Sequence, residues 1–406
     1  MAEMALSDVT VLDFTQNIAG PYSTKLLADY GADVIKVEQP GTGDGARGLG
    51  PFPGDVSHPE KSGTFLHLNT NKRGITLDLN TEEGRAAAIE LARRSHVVVE
   101  SFRPGTMESF GLGYGSLSAA NPSLVVTSIS NFGQTGPYRD WRASELILYG
   151  MGGELISTGI AEREPIKMGG TVGLYQAGTV AAYATLAAVT GARQRGAGEH
   201  VDISIMETQA GSIDRRLSLL LAYQYTDETT SRESLDAASG TGFPGGVYPC
   251  ADGYVQITAG LVWFDRVVRM LGSPEGLLDP KWYTSEAQSD PELKEEFDGY
   301  FYPWVLTRTK QEVWEAAQEF RVLSGPLNTM DDLMRDAFFQ GRGAFAEIDH
   351  PEAGALTYPG RPVVLNATPW SVRRPAPRLG EHTDEVLAEL GYAQAAIDRM
   401  KAKGVI

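Results

Sequence analysis

The groups able to do chemistry in this chain of 406 residues do not fall into the common catalytic spacings. The turn after the first strand-like run reads Asp13-Phe14-Thr15-Gln16-Asn17-Ile18-Ala19-Gly20, without the G-x-G-x-x-G of a dinucleotide site, and no Walker A sequence follows elsewhere. There is no H-E-x-x-H, no C-x-x-C and no G-x-S-x-G, so metal-hydroxide and serine-nucleophile chemistries lack their spacing. The six histidines are scattered. Five (His67, His96, His200, His350, His382) read as core-edge or surface side chains, and His58, in a loop, stays open as a base. Gly41-Thr42-Gly43-Asp44-Gly45 reads first as a flexible loop and second as a phosphate cradle. The single cysteine, Cys250, lies in Val247-Tyr248-Pro249-Cys250-Ala251 and reads as a packed thiol.

The chemistry must therefore come from elements that bring distant residues together. Apolar residues make up 42% of the chain, enough for a sizeable core. A formal net charge of -17 repels phosphate backbones and anionic lipid, so neither nucleic acid nor membrane is expected as a partner, and an anionic small ligand would need a local basic pocket. One cysteine forbids an intrachain disulfide and suits a reducing compartment. The start, Met1-Ala2-Glu3-Met4, has no basic region or signal-peptide core, so a cytoplasmic location is expected. The small-apolar stretch from Thr171 to Gly191 carries Tyr175 and Gln176 and reads as a buried helix, too polar for a bilayer span.

Strand and helix patterns alternate through the first third. Val9–Phe14, Asp33–Glu38, Ile75–Leu79, Val97–Phe102 and Leu124–Ile129 read as strands, and the β-branched runs suit strands buried on both faces of a parallel sheet. Gly20-Pro21 opens a helix that ends near Gly31, and Asn80 or Thr81 caps another that runs to about Arg94. A small-residue helix over Gly173–Ala192, a strand at Val201–Ile205 and a long helix over Met206–Tyr225 follow. The pattern predicts an α/β, Rossmann-like doubly wound fold. Asp227–Gly246 is polar and Gly-rich, a crossing into a second unit. The expected division is a large domain over 1–225, a smaller α+β domain over 226–335, and a return to the large domain over 336–406, with a strand at Pro362–Leu365 and a helix near Thr383–Leu390.

Seven segments, in order along the chain, resemble the class III CoA-transferase family, which includes carnitine and formyl-CoA transferases and the α-methylacyl-CoA racemases. They are Val11–Thr15 with Ala19-Gly20-Pro21, Gly31–Glu38, Asn71-Lys72-Arg73 with Ile75–Leu79, Glu100–Gly105, Gly133-Gln134-Thr135-Gly136-Pro137-Tyr138, Tyr248–Tyr254 and Pro377–Thr383. The resemblance implies an interlocked dimer whose large domains are built from both chain ends. It implies no tightly bound cofactor and no metal, with a CoA thioester as substrate. Carried over residue by residue, CoA contacts fall on Ile18 and Ala19, on Gln39, on Leu77, Asp78, Leu79 and Asn80, on Ser101, Phe102 and Arg103, and from Arg142 to Glu145. Arg103 and Arg142 suit phosphates, and Phe102 suits adenine stacking. Gln39, Asn80 and Ser109 stand where the family carries basic residues.

Active relatives attack the acyl-CoA with an Asp four residues before a Gly at the start of the small-residue helix. Here that segment reads Leu174-Tyr175-Gln176-Ala177-Gly178, so Leu174 holds the nucleophile's position, and no Asp or Glu lies between Pro165 and Gln194. The racemases' G-H-D is Ala143-Ser144-Glu145, which argues against racemisation. Three readings follow. The first is a non-catalytic subunit paired with a paralogous Asp-bearing chain, as in the succinyl-CoA:benzylsuccinate CoA-transferase of anaerobic toluene degradation, a heterotetramer by this resemblance. The second is a stand-alone transferase or thioesterase using another group such as Glu145. The third is an acyl-CoA-binding protein without turnover. Trp141, Tyr149, Trp263 and Phe264 are candidates for an aromatic pocket, although large aromatics are more often core residues.

Overall fold

The computed structural model describes residues 4–211, 214–229, 232 and 242–406. The chain divides into two compact units. The larger comprises Met1–Ile156, Lys167–Thr230 and Gln340–Ile406, and the smaller comprises Ser157–Ile166 and Ser231–Phe339.

Six parallel strands form the sheet of the larger unit: β1 (Thr10–Phe14), β2 (Asp33–Glu38), β3 (Lys72–Thr76), β4 (Val97–Glu100), β5 (Val125–Ser130) and β6 (His200–Ser204). Their order is β3-β2-β1-β4-β5-β6. Alternate side chains feed two cores. Leu12, Ile35 and Val98 face the helices Glu82–Arg93, Thr383–Glu389 and Gln394–Ala402. Val11, Val34, Val97 and Val99 face the helices Ala19–Asp29 and Val172–Arg195. The α/β expectation and the apolar strands thus have one cause, a parallel sheet covered on both faces. By length and composition Val172–Arg195 would also pass as a membrane span, but its small-residue face, Ala177, Gly178, Ala181 and Ala188 among it, is buried within this unit.

In the smaller unit β7 (Gly245–Cys250), β8 (Gly253–Thr258) and β9 (Leu323–Pro326) pair antiparallel over an aromatic core containing Phe243, Phe264, Trp282, Phe297 and Phe301. Cys250 packs against that core, and burial pushes its thiol up. A hairpin of β10 (Phe345–His350) and β11 (Gly354–Pro359) belongs to the larger unit.

Several expected elements move. The third strand is Lys72–Thr76, not Ile75–Leu79, because Lys72 and Arg73 pair in register with Val34 and Ile35. Pro362–Leu365 is not a strand: Val363 and Val364 are exposed, and Tyr30 Oη both donates to the Val363 carbonyl and accepts from its N–H, doing the work of a neighbouring strand. After β6 the described residues are helical over Ile205–Gly211 and Asp214–Thr226, within the span expected to be a long helix, and residues 212–213 lie outside the described residues. Most of the polar crossing at Asp227–Gly246 also lies outside them. Thr81, not Asn80, caps Glu82–Arg93 by accepting from Gly84 N–H. Gly41–Gly45 is not a phosphate cradle. Asp44 N–H donates to Glu38 and Gly43 N–H to the Gln39 carbonyl, while the Asp44 carboxylate pairs with Lys36 at 2.8 Å, so two of the N–H groups a phosphate would need are already engaged and an anion already faces the loop.

Lys36 and Lys72 are fully buried, as is Asp13, whose Oδ2 lies 3.1 Å from Lys72 Nζ. Burial pushes the Asp13 carboxyl up, but Lys72, Lys36 and two threonine hydroxyls more than offset it and hold it below the usual range. Burial pulls the Lys72 ammonium down to about 8. Asp13→Ala leaves the lysines short of a counter-charge, so unfolding free energy should fall by about 3–5 kcal/mol in urea titration. Asp384→Ala, which removes the exposed partner of Lys401, should shift it by less than about 1 kcal/mol.

Candidate active site

In a doubly wound sheet, ligands bind beyond the carboxyl ends of the strands where the strand order reverses. Here that point lies between β1 and β4. The turns after these strands and after β5 line a cleft of about 650 Å³. The turn after β1 supplies Gln16 to Gly20, and the turn after β4 supplies Ser101 to Pro104. Asn17 holds a left-handed backbone at φ 65°, and its N–H donates to Asp44 Oδ1 at 2.8 Å. Gln16 N–H donates to Ser101 Oγ at 2.8 Å, joining the two turns. Phe102 N–H donates to Glu100 at 2.8 Å.

The cleft has two characters. Arg103, Arg139, Arg142 and the exposed indole of Trp141 give it a cationic, aromatic side. Ile129, Leu148, Leu174 and Ile205 give it an apolar side. Glu145 stands beside the latter. Its Oε1 accepts the Gly173 N–H at 3.1 Å, capping the start of Val172–Arg195, and its Oε2 pairs with Lys167 Nζ at 3.1 Å. The cap is electrostatically sound, since an anion is favoured at a helix N-terminus. Leu174, the next residue, turns an alkyl chain to the cleft where no acylation can occur.

Of the expected contacts, the structure brings together Ile18, Ala19, Ser101, Phe102, Arg103, Arg142 and Glu145 in this cleft. It does not bring Gln39 or Leu77–Asn80 into its lining. Leu77 and Leu79 are core side chains, which leaves only their backbone for a ligand. The Asp78 carboxyl is held down first by the Asn80 N–H and then by the Asn80 and Gln39 side chains. Of the aromatic candidates only Trp141 lines the cleft. Tyr149 is buried, and Trp263 and Phe264 belong to the smaller unit's core. His58 accepts the Glu60 N–H and takes no part in the lining. The sequence reading did not single out Arg139. Its signal was its place two residues after Gly136-Pro137, in a turn already marked. Among the described residues no group of His, Cys, Asp and Glu could hold a metal ion.

The family model for CoA-transferase family III matches residues 6–383. The succinyl-CoA--D-citramalate CoA-transferase of Chloroflexus aurantiacus is 35% identical, covering 99% of this chain and 98% of that one. The succinyl-CoA:(R)-benzylsuccinate CoA-transferase subunit BbsE of Thauera aromatica is 32% identical, covering 98% and 97%. The crystal structure of a CAIB/BAIF family protein from Brucella suis matches with a TM-score of 0.84 at 28% identity, over 96% of this chain and all of that one.

Two predictions follow from the supports of the cleft. Burial pushes the Glu100 carboxyl up to about 7, against the lowering by the Ser128 hydroxyl and Phe102 N–H and with Glu108 and Asp202 adding to it. A folded pKa raised above the unfolded one gives stability that is present below about 4.5 and lost as pH rises through about 7. In urea titrations from pH 5 to pH 8, Glu100→Gln should therefore escape a loss on the order of 3 kcal/mol that the parent shows. Gly178 is where Val172–Arg195 crosses the first turn, and a Cβ there would lie 2.5 Å from the Ala19 carbonyl oxygen. Gly178→Ala should lower unfolding free energy by about 1–3 kcal/mol, read by thermal or urea unfolding.

Proposed function

The chain belongs to CoA-transferase family III, and on that premise we propose that it is the Asp-less subunit of a heteromeric CoA-transferase. It works with a paralogous Asp-bearing chain to move CoA between a thioester such as succinyl-CoA and a carboxylic acid. The observation that carries this reading is Leu174, an alkyl side chain on the cleft at the first turn of Val172–Arg195, where the family resemblance puts the nucleophilic Asp. The rest of the cleft is kept. Arg103, Arg139 and Arg142 suit the phosphates of CoA, and the apolar side suits the pantetheine arm and acyl chain.

In the partner chain the Asp carboxylate attacks the thioester carbonyl and CoA thiolate leaves, giving a mixed anhydride. The thiolate then attacks the aspartyl carbonyl and the first acid departs as its carboxylate. The second acid's carboxylate attacks the aspartyl thioester and releases the thiolate, which attacks the second acid's carbonyl in the new anhydride and frees the Asp carboxylate. This chain supplies the companion half of an interlocked assembly and shapes substrate binding, in the cytoplasm. Benzylsuccinate is the acid to test first, since a relative 32% identical over nearly the whole chain bears that activity in its name. D-citramalate is the second, for the corresponding reason.

One observation favours a second reading, a stand-alone transferase or thioesterase. The Glu145 carboxylate lies at the same helix start, bound to the Gly173 N–H, and could take the acyl group in place of the missing Asp. The test is CoA transfer from succinyl-CoA by the pure chain and by the chain co-expressed with an Asp-bearing paralogue. The expected result is no turnover alone and turnover in the mixed oligomer. Turnover by the pure chain overturns the subunit reading, and Glu145→Gln should then lower kcat by about a thousandfold or more.

A further inference from the structure

The cationic side of the cleft is carried by a strap running from the end of β5 to the helix Glu145–Met151. The strap is exposed from Thr135 to Tyr138 and at Trp141 and Arg142, so few packing contacts can fix it. It contains two left-handed glycines, Gly133 at φ 84° and Gly136 at φ 89°, which set its path. At its ends the Asn131 carbonyl accepts the Met206 N–H at 3.1 Å, and Asn131 Nδ2 donates to the Ala143 carbonyl at 3.1 Å. Three further contacts tie down its middle. The Phe132 and Tyr138 rings meet edge-on at 5.8 Å. Arg103 Nη2 donates to the Asp140 carbonyl at 3.2 Å. The Gln134 N–H donates to both oxygens of Asp202, at 3.0 and 2.9 Å, and this is the only one of the three that involves a carboxylate.

We infer that Asp202, on the edge strand β6, is a positioning residue for the cleft: by holding the Gln134 N–H it places the strap that presents Arg139, Trp141 and Arg142 to the ligand. A charge-assisted bond to a backbone N–H is among the stronger single hydrogen bonds, and here it acts at the strap's root, where a small rotation is amplified along the chain. Beyond it, Tyr138 lies 4.4 Å from Trp141 between ring centroids, and Trp141 N–H donates to the Tyr138 carbonyl at 2.9 Å, so the two move as a unit. Gly133 is packed against the same carboxylate: a Cβ there would lie 3.3 Å from Asp202 Oδ2.

The sign of the effect separates positioning from plain electrostatics. Asp202 is an anion near a cleft lined by three arginines. If it acted only through its charge, removing it would strengthen binding of an anionic ligand. If it positions the strap, removing it weakens binding. The inference rests on the reading of the cleft as a CoA site, so CoA itself is the probe.

The experiment measures CoA affinity by calorimetry, and limited tryptic cleavage after Arg139 and Arg142, for the full chain in the oligomer that binds CoA. Asp202→Ala should weaken CoA binding about tenfold, the order expected for one charge-assisted bond, and speed cleavage at both arginines. Asp202→Asn should fall between. Gly133→Ala, which strains the turn while leaving the carboxylate, should act in the same direction and serves if Asp202→Ala does not fold. Unchanged or tighter CoA binding by well-folded Asp202→Ala and Gly133→Ala overturns the inference. Faster cleavage in Asp202→Ala together with no CoA binding by the parent chain overturns the CoA reading while leaving Asp202 as the strap's anchor.

Discussion

Two buried lysines hold the turn on which the cleft is built. Lys36 Nζ donates to the Thr15 carbonyl at 2.8 Å, and Lys72 Nζ donates to the Pro21 carbonyl at 2.9 Å, so strands β2 and β3 grip both ends of the segment after β1. Asp13 binds the Thr15 N–H and hydroxyl with one oxygen, and the Thr24 hydroxyl and Lys72 with the other. Asp44 completes the set, accepting the Asn17 N–H and pairing with Lys36. Burying charges is costly, and apolar residues in their place would often be at least as stable. What apolar residues could not do is satisfy these carbonyls and N–H groups of a non-helical turn. The network therefore fixes backbone geometry more than it adds stability, and the left-handed Asn17 and the following helix start depend on it.

A second consequence concerns the field at the cleft. A chain of net charge -17 repels anions at long range, yet the switch point carries three arginines within one cleft. At physiological ionic strength the Debye length is about 8 Å, so the distant acidic surface is largely screened and the local cations decide what binds. Arg47, by contrast, is buried with Glu38, Glu60 and the Phe65 ring and is unavailable to ligands. Its role is to brace the Gly41–Gly45 loop against β2, which in turn keeps Asp44 in place for Asn17.

Where the sequence was legible, residue type and position coincided. The apolar runs at Val97–Val99 and Val125–Val126 became central strands, and the motif segments around Ile18, Phe102 and Glu145 converged on one cleft. It was illegible where a charge served the interior. The alternation over Ile75–Leu79 puts the third strand three positions late, because Lys72, whose charge is met by buried Asp13, carries no apolar signal. The glycine-rich loop is a loop, as its first reading has it, and its second reading as a phosphate cradle misses the partners of Asp44, which lie on β2 and on the turn after β1. Pro362–Leu365 had a strand's composition but no strand beside it. Tyr149 and Phe264 take the core place that is the commoner one for large aromatics, not the pocket place also open to them. Each failure reflects long-range partners, which local patterns do not contain.

The start of Val172–Arg195 ties these constraints to the chemistry. Gly178 lets that helix touch the backbone at Ala19, and Tyr22 meets Tyr175 edge-on at 4.8 Å, so the helix start and the clamped turn form one rigid corner. Glu145 caps that corner through the Gly173 N–H, and Leu174 completes its apolar side. None of these contacts needs a carboxylate at position 174. The clamp on the turn after β1 is made by Lys36 and Lys72 and does not involve position 174, so a chain can lack a nucleophile at this point while keeping the sheet and the clamp. A non-reacting subunit with an intact binding site is what such independence permits. Leu174 is partly buried and packs against the core on this face of the sheet, so its alkyl chain adds apolar contact at the helix start that an acidic residue would not.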